Sequence, residues 1–339
     1  MTQAELNKLI SSGEFPEQTE SRKLVETHAS WVILCDKFVY KIKKPIQYSF
    51  LNFSTYELRK YYCHREIELN RRLTPNVYID VINITRQSDS INMSGEGEVI
   101  DHAVKMRKLP SEKQMDILLA KGKVSKTDIN NLSKKIADFH KGTTVISNKN
   151  LEDIRHEYND LQFQKEFIQK HSEPRYAKII DRAVATSNAF LNRHQSLLAV
   201  RLRNGFYRDC HGDLHARNIF LLPEPVPFDC IEFNDDFRQI DVLNEIAFLC
   251  MDLDAVNRND LSELFFENYN MLFPTVKTSE ERDLFTYYKS YRANIRAKVN
   301  SLRAQSAITD EAKTTALSLA EKYLDLVQSY LEELETANA

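Results

Sequence analysis

The segment His211–Asn218, followed by Asp229, places an acid, an amide five residues later and a second acid eleven residues further on within one short stretch. The first carboxylate, Asp213, can orient and deprotonate an attacking hydroxyl group. The Asn218 amide and the Asp229 carboxylate can hold the magnesium ion that bridges nucleotide phosphates. The pattern His-x-Asp-Leu-x-x-x-Asn is complete in this segment. The residue types and their spacing therefore predict phosphoryl transfer, with Asp213 as the base and Asn218 and Asp229 as metal ligands.

Length and composition limit the class of protein. A chain of 339 residues can form two lobes, and its 42% hydrophobic and 28% charged residues are typical of globular proteins. The formal net charge of −3 gives no general attraction to nucleic acid or to an anionic membrane. The five cysteines lack C-x-x-C spacing, and the apolar run Trp31–Cys35 is too short to cross a bilayer. We expect a cytoplasmic protein without nucleic-acid or membrane partners, and the sequence leaves its oligomeric state open.

The first hundred residues alternate between strand and helix patterns. Two runs rich in β-branched and aromatic residues flank a two-residue polar turn, which predicts a hairpin, and Pro45 ends the second strand. Apolar residues at helical spacing follow, with Ser54 as the expected N-cap. The predicted elements are strands over 30–35 and 38–43, a helix over Ser54–Leu73, and strands near Val77–Thr85 and Glu98–Arg107.

The remainder of the chain is mostly helical in pattern. Helices are predicted over Lys113–Ala120, Lys126–His140, Asn150–His171, Arg175–His194 and after Asp241, with short strands over Tyr207–Cys210, Ile219–Leu222 and Pro227–Ile231. We therefore predict an α+β, bilobal fold with a small antiparallel-sheet lobe and a larger, mainly helical lobe. The first lobe is expected over residues 1–106, a hinge over 107–110, and the helical lobe with catalytic loop and acceptor site over 111–339.

Lys41 and Lys43 share one face of the second hairpin strand, because side chains alternate along a strand. A lysine at this position can neutralise the α- and β-phosphates of a nucleotide, although a solvated lysine on an edge strand has the same pattern. Glu66, in the following helix, can pair with the strand lysine and orient it. The chain order of lysine, glutamate, aspartate and asparagine favours Lys41 as the phosphate lysine, with Lys43 as the alternative.

The two histidines that flank Asp213 allow a competing interpretation. His211, Asp213 and His215 could bind a transition metal and support metal-assisted hydrolysis. That interpretation leaves Asn218 and Asp229 without a function, so we favour His211 as a brace of the loop and His215 as a residue lining the site.

Three further polar residues are candidates with two interpretations each. Asp241 is either the N-cap of a helix or a brace of the catalytic loop. Glu232 either assists the metal ion or is simply solvated. Ser30 closes a short loop that would have to cover the nucleotide phosphates, although this loop has no glycine and the chain has no P-loop motif.

A late helix over residues 287–303 carries a polar stripe that includes Arg292 and Arg296. One interpretation is a helix buried on one side and solvated on the other. The alternative is a basic wall of the acceptor pocket, which would favour an anionic small-molecule substrate.

The strings VYKIKKP, HREIELNRRL, AVKMRKLP, HGDLHARNIF and FDCIEFND resemble the aminoglycoside phosphotransferase superfamily of kinase-like enzymes. Together with ETHASWV, the last string is most similar to a little-characterised bacterial branch, some members of which carry an additional C-terminal P-loop ATPase domain. The resemblance implies a two-lobed kinase-like fold and transfer of the γ-phosphate from Mg-ATP or Mg-GTP to a hydroxyl group. It assigns phosphate positioning to Lys41 and Glu66, and adenine binding to the backbone near Arg107 and Leu109.

The sequence departs from the kinase pattern at the second acid, which reads Asp-Cys-Ile-Glu rather than Asp-Phe-Gly. A small-molecule kinase is the leading interpretation. A nucleotide-binding regulator without turnover is less favoured, because all five key residues are present. A protein Ser/Thr kinase is also less favoured, because no A-P-E segment follows Asp229. The sequence does not specify the acceptor or the choice between ATP and GTP.

Overall fold

The computed structural model describes residues 1–337, which divide into two compact units. The sheet-rich unit consists of residues 1–121 and 217–238, and the helical unit consists of residues 122–216 and 239–337. The segment 217–238, which carries Asn218 and Asp229, therefore belongs with the sheet. Within residues 1–337, no helix combines the length and apolar character needed to cross a bilayer.

The strands are short except at the centre of the main sheet. They are β1 (Lys23–Glu26), β2 (Ser30–Leu34), β3 (Phe38–Lys43), β4 (Gln47–Tyr48), β5 (Leu51–Asn52), β6 (Tyr78–Gln87), β7 (Ser90–Met93), β8 (Glu98–Arg107), β9 (Tyr207–Asp209), β10 (Ile219–Phe220), β11 (Val226–Pro227) and β12 (Gln239–Asp241).

The helices are longest toward the C-terminus. They are α1 (Gln3–Ser12), α2 (Tyr56–Arg71), α3 (Met115–Ala120), α4 (Lys126–Gly142), α5 (Asp153–Asn159), α6 (Lys165–His171), α7 (Pro174–Arg203), α8 (Val242–Asp254), α9 (Asn259–Leu272), α10 (Ser279–Gln305) and α11 (Asp310–Ala337). Short 3₁₀ turns cover Ser111–Lys113, Asp160–Gln164 and Ala216–Asn218.

The sheet-rich unit contains a six-stranded antiparallel sheet in the order β1-β2-β3-β8-β6-β7. The predicted hairpin is confirmed as β2 and β3, and β3 ends before Pro45 as expected. The prediction missed β1 and β7, which form the two edges of the sheet. Helix α2 begins at Tyr56 with Thr55 as its N-cap, so the prediction of Ser54 as the cap was wrong: the Thr55 hydroxyl accepts from the Leu58 NH.

Alternation along β3 separates its side chains between two hydrophobic clusters. Tyr40 and Ile42 pack in one cluster with α1 and its neighbours, whereas Val39 packs in another with Cys63 and Ile67 of α2. The odd-numbered positions of β3 therefore face α2. This geometry directs the two lysines of the strand toward the helix that carries Glu66.

The helical unit departs from the predicted boundaries in two places. The predicted helix over Asn150–His171 is divided into α5, a 3₁₀ turn and α6. The helix predicted to end at His194 continues to Arg203, with non-helical backbone angles at His194. The long helical stretch predicted after Asp241 is confirmed as α8 to α11.

Candidate active site

The ammonium group of Lys41 lies between two carboxylates. Its Nζ is 2.9 Å from Oε1 of Glu66 and 2.5 Å from Oδ1 of Asp229. Strand β3, helix α2 and the segment after β11 thus bring together three residues that the sequence predicted as site residues. They are separated by 25 and 188 positions along the chain from Lys41.

Lys43 forms a second, deeper pair on the same face of β3. Its Nζ is 2.8 Å from Oε2 of Glu66 and also donates to the Glu232 carboxylate. The Phe53 ring centroid lies 4.7 Å from the same nitrogen, which adds a cation–π contact. The side chain of Lys43 is only 1% exposed, compared with 13% for Lys41. Lys41 is therefore the more exposed of the two lysines.

The ion pairs determine the protonation of this cluster. Burial disfavours the charged form of Glu66, but Lys41 and Lys43 outweigh it and lower the pKa of Glu66 to about 2. Burial likewise opposes the charge of Lys41, yet the carboxylates of Asp229 and Glu66 raise its pKa well above the ordinary value. For Glu232, burial dominates and its pKa is raised. Lys41 and Glu66 are thus a charged pair at neutral pH.

The backbone at Asp229 is held by side chains from two other elements. Asp229 has a positive φ of 64°, a conformation that non-glycine residues seldom adopt. Its NH donates to the Tyr78 hydroxyl at 3.0 Å, and the Cys230 NH donates to Oδ1 of Asn70 at 2.9 Å. Asn70 lies one helical turn after Glu66, so α2 fixes both the lysine partner and the position of Asp229.

The β10–β11 hairpin brings Asn218 next to Asp229. Ile219 pairs with Pro227, and the Phe228 NH donates to the Asn218 carbonyl at 2.9 Å. Asn218 therefore lies opposite Phe228, the residue that precedes Asp229. An amide oxygen and a carboxylate, the latter on a side chain that is 40% exposed, are the oxygen donors that Mg²⁺ prefers.

In the helical unit, Asp213 lies in a loop between β9 and the 3₁₀ turn at Ala216–Asn218. Its NH donates to Nδ1 of His211 at 3.3 Å, and Nε2 of His215 is 3.4 Å from its Oδ2. The carboxylate remains accessible, with 37% of the side chain exposed. Burial acts to raise the pKa of Asp213. His215, His211 and Arg296 act more strongly to lower it, so the net pKa lies below its usual range. Asp213 is therefore ionised at neutral pH.

Glu245 of α8 fixes the backbone of this loop, and the sequence analysis missed it. Its two carboxylate oxygens accept from the NH groups of His211 at 2.6 Å and Gly212 at 3.0 Å. Nε2 of His140 lies 3.9 Å from the same carboxylate. Because Glu245 lies within a buried run of mostly apolar residues of α8, it was a usable sequence signal.

Asp241 has the first of its two predicted roles. It caps α8 by accepting from the Leu243 NH at 2.9 Å. Its carboxylate also receives a bidentate pair from the buried guanidinium of Arg201, at 2.6 and 2.9 Å.

The polar stripe on α10 differs in burial along its length: Arg292 is buried, Arg296 is half-buried and Arg303 is exposed, so the stripe is not solvated throughout. Arg292 donates to the Asn244 side chain at 2.7 Å and to the Gly212 carbonyl at 3.3 Å. Arg292 thus stabilises the backbone of the loop that carries Asp213. Arg296, one turn later, donates to the Tyr323 hydroxyl at 3.3 Å.

The remaining residues predicted to bind the nucleotide lie at or next to the ends of strands: Ser30 begins β2, Arg107 ends β8 and Leu109 follows it. Ser30 is buried and closes a turn in which its NH donates to the Thr27 hydroxyl at 3.0 Å. The Arg107 side chain donates to the Asn76 carbonyl at 3.0 Å. Leu109 packs on the cluster that contains Val39.

The trio predicted for the competing metal interpretation is not assembled as a metal site. Within residues 1–337, the one group of three buried histidine, cysteine or acidic side chains with closely spaced ligand atoms is His140, Cys210 and Glu245. His211 instead uses Nδ1 to accept a backbone hydrogen bond.

By sequence, the chain is similar to uncharacterized proteins, and by structure it is similar to small-molecule kinases. No protein-family model matches the chain. Uncharacterized proteins of Mycobacterium tuberculosis and Mycobacterium bovis are 27% identical over 313 residues, which are 91% of this chain and 59% of each relative. The chain thus spans 59% of the length of these curated relatives.

Two solved structures cover almost the whole chain. A choline kinase from Cryptosporidium parvum superimposes with a TM-score of 0.55 and 8% identity, covering 96% of this chain and 92% of its own. An aminoglycoside phosphotransferase from Alicyclobacillus acidocaldarius has a TM-score of 0.53 and 12% identity, covering 99% and 96%. The chain therefore shares the kinase-like fold of these two enzymes. This kinase-like fold confirms the predicted α+β class, with an antiparallel sheet in one unit and helices in the other.

Proposed function

We propose that this protein is a phosphotransferase that moves the γ-phosphate of ATP or GTP to a hydroxyl group of a small molecule. The observation that carries the proposal is the position of Lys41, 2.9 Å from Glu66 and 2.5 Å from Asp229. A cation for the phosphates, a carboxylate that orients it and an acid suited to a metal ion are the components of kinase catalysis.

The geometry supports Lys41 rather than Lys43 as the phosphate lysine. Lys43 is enclosed between Glu66 and Glu232, and a phosphate would have to displace two buried ion pairs to reach it. Lys41 is more exposed than Lys43 and would exchange only its contact with Asp229. In this proposal Glu66 retains Lys41 while the ammonium group donates to phosphate oxygens.

Asn218 and Asp229 would hold Mg²⁺ through one amide oxygen and one carboxylate. The ion supplies charge neutralisation of the phosphates during transfer. The Asn70 and Tyr78 hydrogen bonds fix the backbone at Asp229, so that its carboxylate is oriented before a ligand binds. Glu232, which neutralises the buried Lys43, is less suited to a metal ion than the exposed Asp229 carboxylate.

Asp213 is proposed as the base. Its carboxylate accepts a hydrogen bond from the acceptor hydroxyl and takes that proton as the new P–O bond forms and the bond to the β-phosphate oxygen breaks. Glu245 holds the backbone of the loop that positions Asp213. Because the pKa of Asp213 is lowered, the carboxylate does not need to lose a proton first.

The nucleotide base would lie beside the chain that leaves β8. The Lys108 NH donates to the Lys37 carbonyl at 2.9 Å, and this hydrogen bond fixes the segment that leads to Leu109. A related fold supports a nucleotide as co-substrate, since an aminoglycoside phosphotransferase with a TM-score of 0.51 was solved as a GDP complex.

A regulator that binds nucleotide without turnover remains the second candidate, because the same cluster would bind the nucleotide. The two are separated by incubating the protein with Mg²⁺ and γ-labelled ATP or GTP and a mixture of hydroxyl metabolites. We expect label in a small molecule. Binding of nucleotide without any transfer would favour the regulator, and label in added protein would favour a protein kinase.

A further inference from the structure

Three of the cations along α10 have a carboxylate or several hydrogen-bond acceptors as partners. Lys289 pairs with Asp254 at 3.2 Å, and Lys298 pairs with Asp160 at 3.3 Å. Arg292 has no carboxylate within ion-pair distance in the part of the chain that the structure describes, but its guanidinium donates to Asn244 and to the Gly212 carbonyl. These three side chains have evident structural roles.

Arg296 lacks comparable partners. Among residues 1–337, no carboxylate oxygen lies within ion-pair distance of its guanidinium, and its one hydrogen bond is a 3.3 Å contact from Nη2 to the Tyr323 hydroxyl. Its Nε is buried without a hydrogen-bond partner. A guanidinium has five donors in a planar fork, so most of this capacity is unused. Arg296 is half-buried, and its guanidinium carbon lies 5.3 Å from the Tyr323 ring centroid. A buried donor without a partner costs stability, which a bound anion would restore.

The environment of Arg296 includes the proposed base. Burial opposes its charge, but Tyr323, Asp252 and Asp213 raise the pKa of Arg296 above its ordinary value, so the guanidinium is always charged. The Tyr323 hydroxyl, which accepts from Arg296, donates to Oδ1 of Asp252 at 3.5 Å, and Oδ2 of Asp252 accepts from the Ala216 NH at 2.9 Å. Arg296 is therefore connected through the Tyr323 hydroxyl and the Asp252 carboxylate to the Ala216 NH, three residues after the proposed base.

We infer that Arg296 binds an anionic group, phosphate or carboxylate, of the hydroxyl-bearing acceptor. The inference rests on the proposed function, because it takes Asp213 as the base that receives the acceptor hydroxyl. The guanidinium fork matches the paired oxygens of either anion, and its unused Nε supplies one donor. A cationic acceptor would be repelled by Arg296 at this position.

The test measures binding of orthophosphate, against sodium chloride at equal ionic strength, by isothermal titration with wild-type protein and three variants. Arg296→Gln removes the charge, and Arg296→Lys retains charge without the fork. Arg282→Gln is the matched control, since Arg282 lies on the same helix and pairs with Glu263 at 2.8 Å on the surface.

We expect the wild type and Arg282→Gln to bind phosphate equally and Arg296→Gln to bind at least about tenfold more weakly, as loss of a charged hydrogen bond implies. Arg296→Lys should lie between them. Absence of phosphate binding by the wild type, or binding unchanged in Arg296→Gln, would overturn the inference.

A fourth variant, Lys41→Met, separates this site from the nucleotide phosphate site. Phosphate binding that is lost in Lys41→Met and retained in Arg296→Gln would overturn the inference, because the anion would then occupy the nucleotide site. Nucleotide binding is measured on the same samples. Failure to bind Mg-ATP and Mg-GTP would contradict the proposed function, whereas failure confined to phosphate would contradict only the role of Arg296.

Discussion

The ammonium group of Lys41 lies 2.5 Å from the carboxylate of Asp229. The residue proposed to bind phosphates is thus paired with the residue proposed to bind the metal ion. Binding of a metal–nucleotide complex would replace the contact between Lys41 and Asp229 by two others. Lys41 would then contact the phosphates, and Asp229 would contact the metal ion. Glu66 keeps its contact with Lys41 throughout, so the cation stays oriented during the exchange.

Lys43 and Lys41 should differ in their effects on stability. Lys43→Met leaves Glu66 and Glu232 buried together without their shared cation, and we expect the free energy of unfolding to fall by about 3–5 kcal/mol. Lys41→Met should destabilise much less, because Glu66 keeps Lys43. Urea unfolding measures both. Lys44→Met is the matched control, with a loss of about 1 kcal/mol or less expected for its exposed partner Glu26. Equal effects of Lys43→Met and Lys44→Met would contradict the assignment of Lys43 as a structural cation.

The lowered pKa of Glu66 predicts a specific loss of stability in acid. A carboxyl group whose folded pKa is about 2, against an ordinary value of 4.5, stabilises the fold fully above pH 4.5 and loses this contribution as the pH falls toward 2. Glu66→Gln should therefore show a shallower decline in unfolding free energy over this interval than the wild type. Glu68→Gln, on an exposed position of the same helix, should retain the wild-type slope. A wild-type slope in Glu66→Gln would show that the paired glutamate is not the titrating group.

Asp213→Asn should abolish transfer while leaving nucleotide affinity largely intact. The amide cannot accept the hydroxyl proton, and loss of a general base costs about 10²–10⁴-fold in turnover. Because the pKa of Asp213 is lowered, wild-type turnover should also show no loss of this base between about pH 7 and pH 5. Initial rates and nucleotide titrations check both statements. Turnover of the variant at the wild-type rate would exclude Asp213 as the base.

Glu245→Gln should loosen the loop that carries Asp213. The amide retains one carbonyl acceptor where the carboxylate accepts from two NH groups, so one buried donor loses its partner. We expect a loss of about 1–3 kcal/mol and faster hydrogen exchange at His211 and Gly212. Exchange at the α10 amides around Ser290 serves as the internal reference. Unchanged exchange at both loop amides would mean that Glu245 does not hold the loop.

The sequence predicted the parts of the fold whose pattern is local. Strands β2 and β3 were found because their residues are β-branched or aromatic around a short turn, and the sheet edges β1 and β7 were missed because KLVE and SINM mix polar and apolar residues. The cap of α2 was placed one residue early, because Ser54 and Thr55 are both good caps and only geometry selects between them.

The sequence predicted those site residues whose residue type and spacing match few other structural roles. Lys41, Glu66 and Asp229 carry that kind of signal, and the structure brings them within hydrogen-bond distance. Asn70 and Tyr78, which hold the backbone of Asp229, could not be predicted, because their roles depend on a contact across more than 150 positions. The different burial of Lys41 and Lys43 also could not be predicted, because both lysines lie on the same face of β3.

The most direct test of the account is the magnesium-dependent thermal shift with ATP and with GTP. It is measured on the wild type, on Asp229→Ala and on Asp89→Ala, a control that removes an exposed acid from the same unit. The account predicts a rise in melting temperature of the wild type and of Asp89→Ala that requires both nucleotide and magnesium, and its loss in Asp229→Ala. No shift of the wild type with either nucleotide, or an equal magnesium-dependent shift in Asp229→Ala, would contradict it.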